Sequence, residues 1–71
     1  MDTTQQILEA IMELRRQHPS WRFGQLVANV SFFAKGPTKS AVYDVEDEEF
    51  LKAAQSHLVH IQEEQRETVA A

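Results

Sequence analysis

The sequence has no cysteine and little glycine or proline. Its 71 residues include two glycines and two prolines. The absence of cysteine excludes disulfide bonds, thiolate zinc sites and cysteine nucleophiles. No apolar run approaches the ~18 residues that a membrane-spanning helix needs, and residues 1–4 lack the pattern of a signal peptide. These absences predict a bacterial-type cytoplasmic domain that folds by apolar burial alone.

The length leaves room for one compact unit. Hydrophobic residues make up 42% of the chain and charged residues 25%, as in ordinary globular proteins. We expect one domain over residues 1–65 and a frayed tail over residues 66–71. A domain of this size buries only about 60% of its unfolded surface, which favours support from a partner and leaves few residues to wall a substrate pocket. We therefore expect a non-enzyme without catalytic residues, cofactor or metal.

The charge is unevenly distributed. Residues 1–40 carry five cations and three acids, a balance of +2, and residues 41–71 carry two cations and eight acids, a balance of −6. These sum to the net charge of −4. Such a chain can pair its charges internally, pair with a copy of itself, or present one pole to another molecule. The charge pattern leaves all three open.

The first predicted helix spans residues 4–18. Thr3 or Thr4 is the expected N-cap, and Pro19 ends the helix because it disfavours the α conformation in the residue before it. Arg15, Arg16 and His18 lie in the last turn, where cations favour the helix dipole. Apolar residues recur at helical spacing. The predicted apolar stripe consists of Ile7, Leu8, Ile11 and Leu14, with Met12 beside it.

The second predicted helix spans residues 21–34. Gly24 lies in its first turn, where we expect another backbone to approach closely. Gly36 suits the end of the helix and Pro37 prevents its continuation. The predicted apolar stripe consists of Phe23, Leu26, Val27, Val30, Phe33 and Ala34.

The third predicted helix spans residues 45–64, after a connection over residues 37–43 in which residues 41–43 favour an extended conformation. Asp44 is the expected N-cap, and carboxylates in a first turn suit the helix dipole. The predicted apolar stripe consists of Phe50, Leu51, Ala54, Leu58 and Ile61. Three amphipathic helices joined by short links predict an all-α, three-helix domain.

Two segments carry a resemblance to other proteins. Residues 18–26 are His-Pro-Ser-Trp-Arg-Phe-Gly-Gln-Leu, and residues 43–50 are Tyr-Asp-Val-Glu-Asp-Glu-Glu-Phe. The chain resembles a group of short, uncharacterised bacterial and phage-associated helical proteins. These share a Pro-x-aromatic-Arg-x-Gly-Gln-Leu turn and an aromatic-Asp-x-Glu-Asp-Glu-Glu helix start. The resemblance covers about residues 7–58 and implies the three-helix architecture, but it brings no activity.

The outer face of the second helix is the main candidate surface. Trp21, Ala28 and Phe32 fall opposite its apolar stripe, and large exposed aromatics favour a protein contact. The alternative is that the third helix or the loop over residues 37–43 covers them. Arg22 is also placed to clamp an acid at the start of the third helix, namely Asp44, Glu46 or Asp47. The predicted partner-binding residues are Trp21, Arg22, Gln25, Ala28, Asn29 and Phe32.

The sequence carries three further patterns. His57, His60 and Glu64 form a row at helical spacing, but without a fourth ligand an ordinary solvated pair is the simpler interpretation. The serines lack a nucleophile turn or a nearby base. A helix-turn-helix arrangement around residues 18–23 has cations available, whereas the acidic pI of 5.2 opposes binding to DNA.

The sequence therefore predicts a non-enzymatic protein–protein interaction module. Its partner would be a second copy, forming a homodimer, or another protein, without membrane or small-molecule substrate. The alternative is a small helix-turn-helix-like DNA-binding or antitoxin-type regulator. An acidic surface at the start of the third helix would steer the approach of the partner by its charge. That surface consists of Asp44, Glu46, Asp47, Glu48 and Glu49.

Overall fold

The computed structural model describes residues 2–70, and the side chains of residues 2–64. Within this range the chain forms α1 (Thr3–Gln17), α2 (Phe23–Lys35), α3 (Ala41–Asp44) and α4 (Asp47–Ala70). No strand forms in residues 2–70, so the predicted all-α class is confirmed. The described helices number four where three were predicted, because a one-turn helix lies in the predicted connection.

The two ends of α1 are held by short-range hydrogen bonds. Asp2 is the N-cap, and its Oδ1 accepts the backbone N–H of Gln5 at 2.8 Å. The predicted N-cap at Thr3 or Thr4 is therefore wrong, because the aspartate one residue earlier supplies a charged acceptor. At the other end the backbone N–H of His18 donates to the carbonyl of Leu14 at 2.8 Å. Pro19 follows, and α1 ends at Gln17, one residue before the predicted end at residue 18.

The start of α2 lies two residues later than predicted. Trp21 belongs to the turn before the helix, where its N–H donates to the carbonyl of His18 at 3.1 Å. The Gln25 side chain accepts the backbone N–H of Arg22 at 2.9 Å, which fixes Arg22 as the N-cap. Gly36 closes the helix with φ of 95°, and its N–H donates to the carbonyl of Phe32. The predicted glycine end of α2 is thus confirmed.

Residues 41–44 form a helix where an extended segment was predicted. The side chain of Ala41 is buried, and α3 packs against α2, so tertiary contact overrides the local preference of Val42 and Tyr43. Asp44 ends α3, which makes its predicted role as N-cap of the next helix wrong. That role falls to Glu46: its carbonyl accepts from the N–H of Phe50, and its own N–H donates to Glu49 Oε1 at 3.0 Å.

The last helix extends beyond its predicted end at residue 64 and reaches Ala70. The predicted frayed tail covers residues 66–71. The side chains of residues 65–70 and the whole of residue 71 lie outside the described residues, so the frayed tail stays a prediction. None of the described helices combines the length and apolarity needed to cross a membrane.

The core draws on α1, α2 and α4. Leu14, Leu26, Val30 and Ala54 have no exposed surface, which confirms the predicted stripes at these positions. Leu8, Phe23 and Phe33 were predicted for the core and are instead more than half exposed. The buried apolar cluster consists of Ala10, Leu14, Leu26, Val30, Phe50 and Ala54.

The packing is centred on α4. Both α1 and α2 lie against α4, and they touch each other only sparingly. Two helices resting on a third in this way leave an open cleft between them, with α4 as its floor.

Candidate interaction surface

The six predicted partner-binding residues do not form one exposed face. Arg22 and Gln25 are exposed, and the side chain of Gln25 already caps α2. Trp21, Ala28, Asn29 and Phe32 are half-buried. Since Trp21 lies in the turn and outside α2, a helical wheel could not place it.

The predicted clamp between Arg22 and the acids is wrong. Within residues 2–64 no ion pair joins Arg22 to Asp44, Glu46 or Asp47. It is the end of α2 that meets the start of α4, where Lys35 Nζ lies 3.4 Å from Glu49 Oε2. The neighbour of Arg22 in sequence, Trp21, lies beside His57 of α4. His57 is ten residues, or ~15 Å, along α4 from Asp47, so the start of α2 lies far from the acids at the start of α4. The connection through α3 imposes this antiparallel arrangement.

The predicted acidic surface does form at the start of α4. Asp44, Glu46, Asp47 and Glu48 are exposed, and Glu49 is half-buried. The pKa of Glu49 is lowered, mainly because its carboxylate accepts the backbone N–H of Glu46; burial opposes this, and the adjacent Lys35 adds to it. Glu49 therefore caps α4 and is engaged within the domain. The other four carboxylates face solvent.

A stack of four rings joins the end of α1 to α4. Trp21 stacks on His18 with ring centroids 3.9 Å apart, and His57 stacks on Phe33 at 4.9 Å. Between these two pairs, His18 Nε2 and His57 Nε2 lie 3.1 Å apart and share a hydrogen bond. Burial is the main cause that lowers the pKa of His57, followed by the charges of His18 and His60, with Glu64 opposing.

Sequence reasoning missed this stack. It assigned His18 to the helix dipole and considered His57 only beside His60. The two histidines are 39 residues apart, and periodicity cannot indicate which side chains meet across such a separation. The available signal was compositional: a histidine and a tryptophan three residues apart around a proline.

The row of possible metal ligands on α4 is not assembled. His57 turns towards His18, whereas His60 Nε2 pairs with Glu64 Oε1 at 3.2 Å. In the part of the chain with described side chains, no three histidine or acidic residues come together as metal ligands. These groups serve the fold as hydrogen-bond partners.

The cleft between α1 and α2 forms a largely apolar depression. It measures about 270 Å³ and has Phe50 of α4 in its floor. Its polar members include Ser31, whose hydroxyl donates to the carbonyl of Val27 at 2.8 Å. The lining consists of Ile7, Ile11, Val27, Ser31, Val42, Val45, Asp47 and Phe50.

Exposed apolar side chains lie on the two helices that flank this cleft. Leu8 and Met12 are the next residues after the lining residues Ile7 and Ile11 on α1, and Phe23 lies one turn before the lining residue Val27 on α2. Leu8 is 54%, Met12 62% and Phe23 58% exposed. Exposed apolar groups gathered around one groove are typical of a contact surface. Comparisons of this chain with protein-family models, curated proteins and solved structures found no match.

Proposed function

We propose that this domain is a non-enzymatic protein–protein interaction module that docks through the cleft between α1 and α2. The observation that carries the proposal is the apolar lining of the cleft together with the exposed side chains of Leu8, Met12 and Phe23 on the two helices that flank it. Covering this surface gains about 25 cal/mol for each Å² of apolar area removed from water. A helix laid into an apolar groove is a common mode of recognition.

The chemistry of the cleft suits binding better than catalysis. Its one hydroxyl, on Ser31, is fully buried and already donates to the backbone of α2. Its one carboxylate belongs to Asp47, which lies at the exposed start of α4. Among the described side chains, no base is positioned beside the Ser31 hydroxyl. A nucleophile needs a free hydroxyl within hydrogen-bond reach of a base.

The occupant we propose is a second copy of the same chain. Leu8 and Met12 are one turn apart on α1 and lie symmetrically about the level of residue 10. In an antiparallel pairing of two α1 helices around a two-fold axis at this level, Leu8 of each copy faces Met12 of the other. A two-fold contact repeats every favourable pair twice.

The charges support the same antiparallel pairing. Thr3, at the start of α1, borders the depression that contains the acids at positions 44 and 46–49. Arg15 and Arg16 lie at the opposite end of α1 and are exposed. An antiparallel copy therefore brings its arginines towards the acidic end of the first. This arrangement would steer association and fix its direction.

The helix-turn-helix alternative is less well supported by the charges. Arg16 pairs with Glu13 at 2.7 Å, Lys35 pairs with Glu49, and Arg15 donates to the carbonyl of Trp21 at 2.7 Å. The net charge of −4 leaves the chain without the excess of cations that binding to phosphates requires. DNA binding needs a basic face to displace counterions.

The test is the oligomeric state of the purified protein and of two matched lysine variants. We expect the wild-type protein to form dimers, and Leu8→Lys to weaken dimerisation about 100-fold, because the two-fold axis places two lysines in the apolar contact. Sedimentation equilibrium over a wide concentration range measures both. Val59→Lys is the control, since Val59 is 53% exposed and Leu8 54% exposed, but Val59 lies on α4 outside the cleft.

Three outcomes would contradict this proposal. The first is a wild-type protein that stays monomeric at about 1 mM. The second is an equal loss of dimer in Leu8→Lys and Val59→Lys. The third is salt-dependent binding of the wild-type protein to duplex DNA, which would favour the regulator predicted as the alternative.

A further inference from the structure

We propose that the hydrogen bond between His18 and His57 is a proton-operated latch that holds the end of α1 against α4 and releases when both rings are protonated. This inference goes beyond the proposed function, because it concerns the response of the fold to protons and applies equally to a monomer. The latch joins residues 39 apart in sequence.

The geometry sets the proton requirement. The two Nε2 atoms lie 3.1 Å apart, so one must donate its N–H and the other must accept with its lone pair. Two neutral rings satisfy this, and so do one neutral and one charged ring. Two charged rings cannot, because both Nε2 atoms then carry hydrogen and both rings are positive.

The surroundings of the pair act on its protonation in both directions. The faces of the two rings are covered by Trp21 and Phe33, whose π faces attract a cation and therefore accommodate a proton on either ring. On α4 the charged neighbours are His60, which repels a proton on His57, and Glu64, which attracts one. The carboxylate of Glu63 lines the same depression as His57. At the end of α1, Arg15 donates to the carbonyl of Trp21 and adds a further positive charge beside the turn. Double protonation is opposed by the repulsion between two charged rings whose Nε2 atoms lie 3.1 Å apart.

The sign of the pH dependence follows. Burial and the charge of His18 lower the pKa of His57 from its ordinary 6.5. At a pH between 6.5 and the lower pKa of His57 in the folded state, the unfolded chain therefore binds more protons than the folded chain. The contribution of this histidine to stability is complete above pH 6.5 and is lost as the pH falls through the folded pKa. When His57 gains its proton beside a charged His18, the hydrogen bond between the rings is lost and the end of α1 loses its polar tie to α4.

Trp21 is the single tryptophan and reports the latch directly through its contact with His18. As the pH falls from about 7 to about 5, we expect a red shift of its fluorescence and loss of nuclear Overhauser contacts between the Trp21 and His57 rings. Helical circular dichroism should persist. The His57 ring-proton resonances should titrate with a midpoint below 6.5, the ordinary value.

Two variants separate the latch from general acid effects. In His57→Gln the amide can both donate and accept, so it can bond to His18 in either protonation state, and the pH-dependent red shift should disappear. His60→Gln is the control on the same helix and should keep the shift. If His57→Gln fails to fold, His18→Gln replaces it with the same expectation.

The proposal is overturned if the wild-type Trp21–His57 contacts survive at every pH at which the helices remain. It is equally overturned if the glutamine variants retain the wild-type fluorescence profile. Performing the titration in Leu8→Lys as well keeps the outcome separate from the proposed dimer, because the latch should respond in the same way in a monomer.

Discussion

Replacing Leu14 by alanine is expected to lower the free energy of unfolding by about 3 kcal/mol, the middle of the range for leucine-to-alanine changes in cores. Leu14 has no exposed surface and packs with Ala10 on α1, Leu26 on α2 and Ala54 on α4. The substitution leaves a cavity where all three major helices meet, and none of them can close it without losing other contacts. Urea or thermal unfolding followed by circular dichroism measures the loss.

The size of the domain makes this loss severe. At about 0.05–0.15 kcal/mol for each residue, a domain of this length has a total stability of roughly 4–10 kcal/mol. A loss of about 3 kcal/mol corresponds to a fall in Tm of about 15 °C or more. Leu8→Ala is the matched control, since it removes the same atoms from the same helix at a position that is 54% exposed. It should change stability by less than about 0.5 kcal/mol.

Equal losses in Leu14→Ala and Leu8→Ala would contradict the assignment of the core. The measurement should be made at low protein concentration, because the proposed dimer would bury Leu8 and add its own contribution to stability. A concentration-dependent Tm in the wild-type protein that is absent in Leu8→Lys would in turn support that dimer.

The sequence predicted the three long helices and the centre of the core because both depend on local periodicity. Leu14, Leu26 and Ala54 recur at helical spacing on the side of each helix that faces the other helices. Such residues are buried in almost any packing of amphipathic helices. The helix ends at His18 and Gly36 were likewise predictable, because proline and glycine act on the adjacent backbone.

What the sequence could not predict depends on how the helices meet. Phe23 and Phe33 continue the apolar stripe of α2, yet they lie near its two ends and are exposed. Periodicity indicates the direction of a side chain but not the extent of the neighbouring helix that covers it. The same limitation hid the cleft, which exists because α1 and α2 both lean on α4 and leave space between them.

The clamp assigned to Arg22 failed for a topological reason. It assumed that the starts of the second and third predicted helices face each other. The short connection through α3 instead returns the chain so that the start of α4 meets the end of α2, and Lys35 takes the carboxylate partner. Charge complementarity alone indicated that a cation would meet these acids, but not which cation.

Gly36→Ala is expected to destabilise the domain by about 2 kcal/mol, because backbone strain in this region costs 1–3 kcal/mol. Gly36 has φ of 95° and ψ of 163°, a conformation that residues with a side chain rarely adopt. A Cβ atom at this position would meet no other atom within 4 Å. The cost therefore arises from the backbone alone and not from a clash, and chemical denaturation measures it.

Gly24→Ala is the matched control and should shift stability in the opposite direction. Gly24 lies in the first turn of α2 with an ordinary φ, and a Cβ atom there also meets nothing within 4 Å. The close backbone approach predicted for it is therefore wrong. Alanine is the better helix former and restricts the unfolded chain, so a gain of about 0.5 kcal/mol is expected. A stabilising Gly36→Ala, or equal losses at both glycines, would show that the turn after α2 does not require a positive φ.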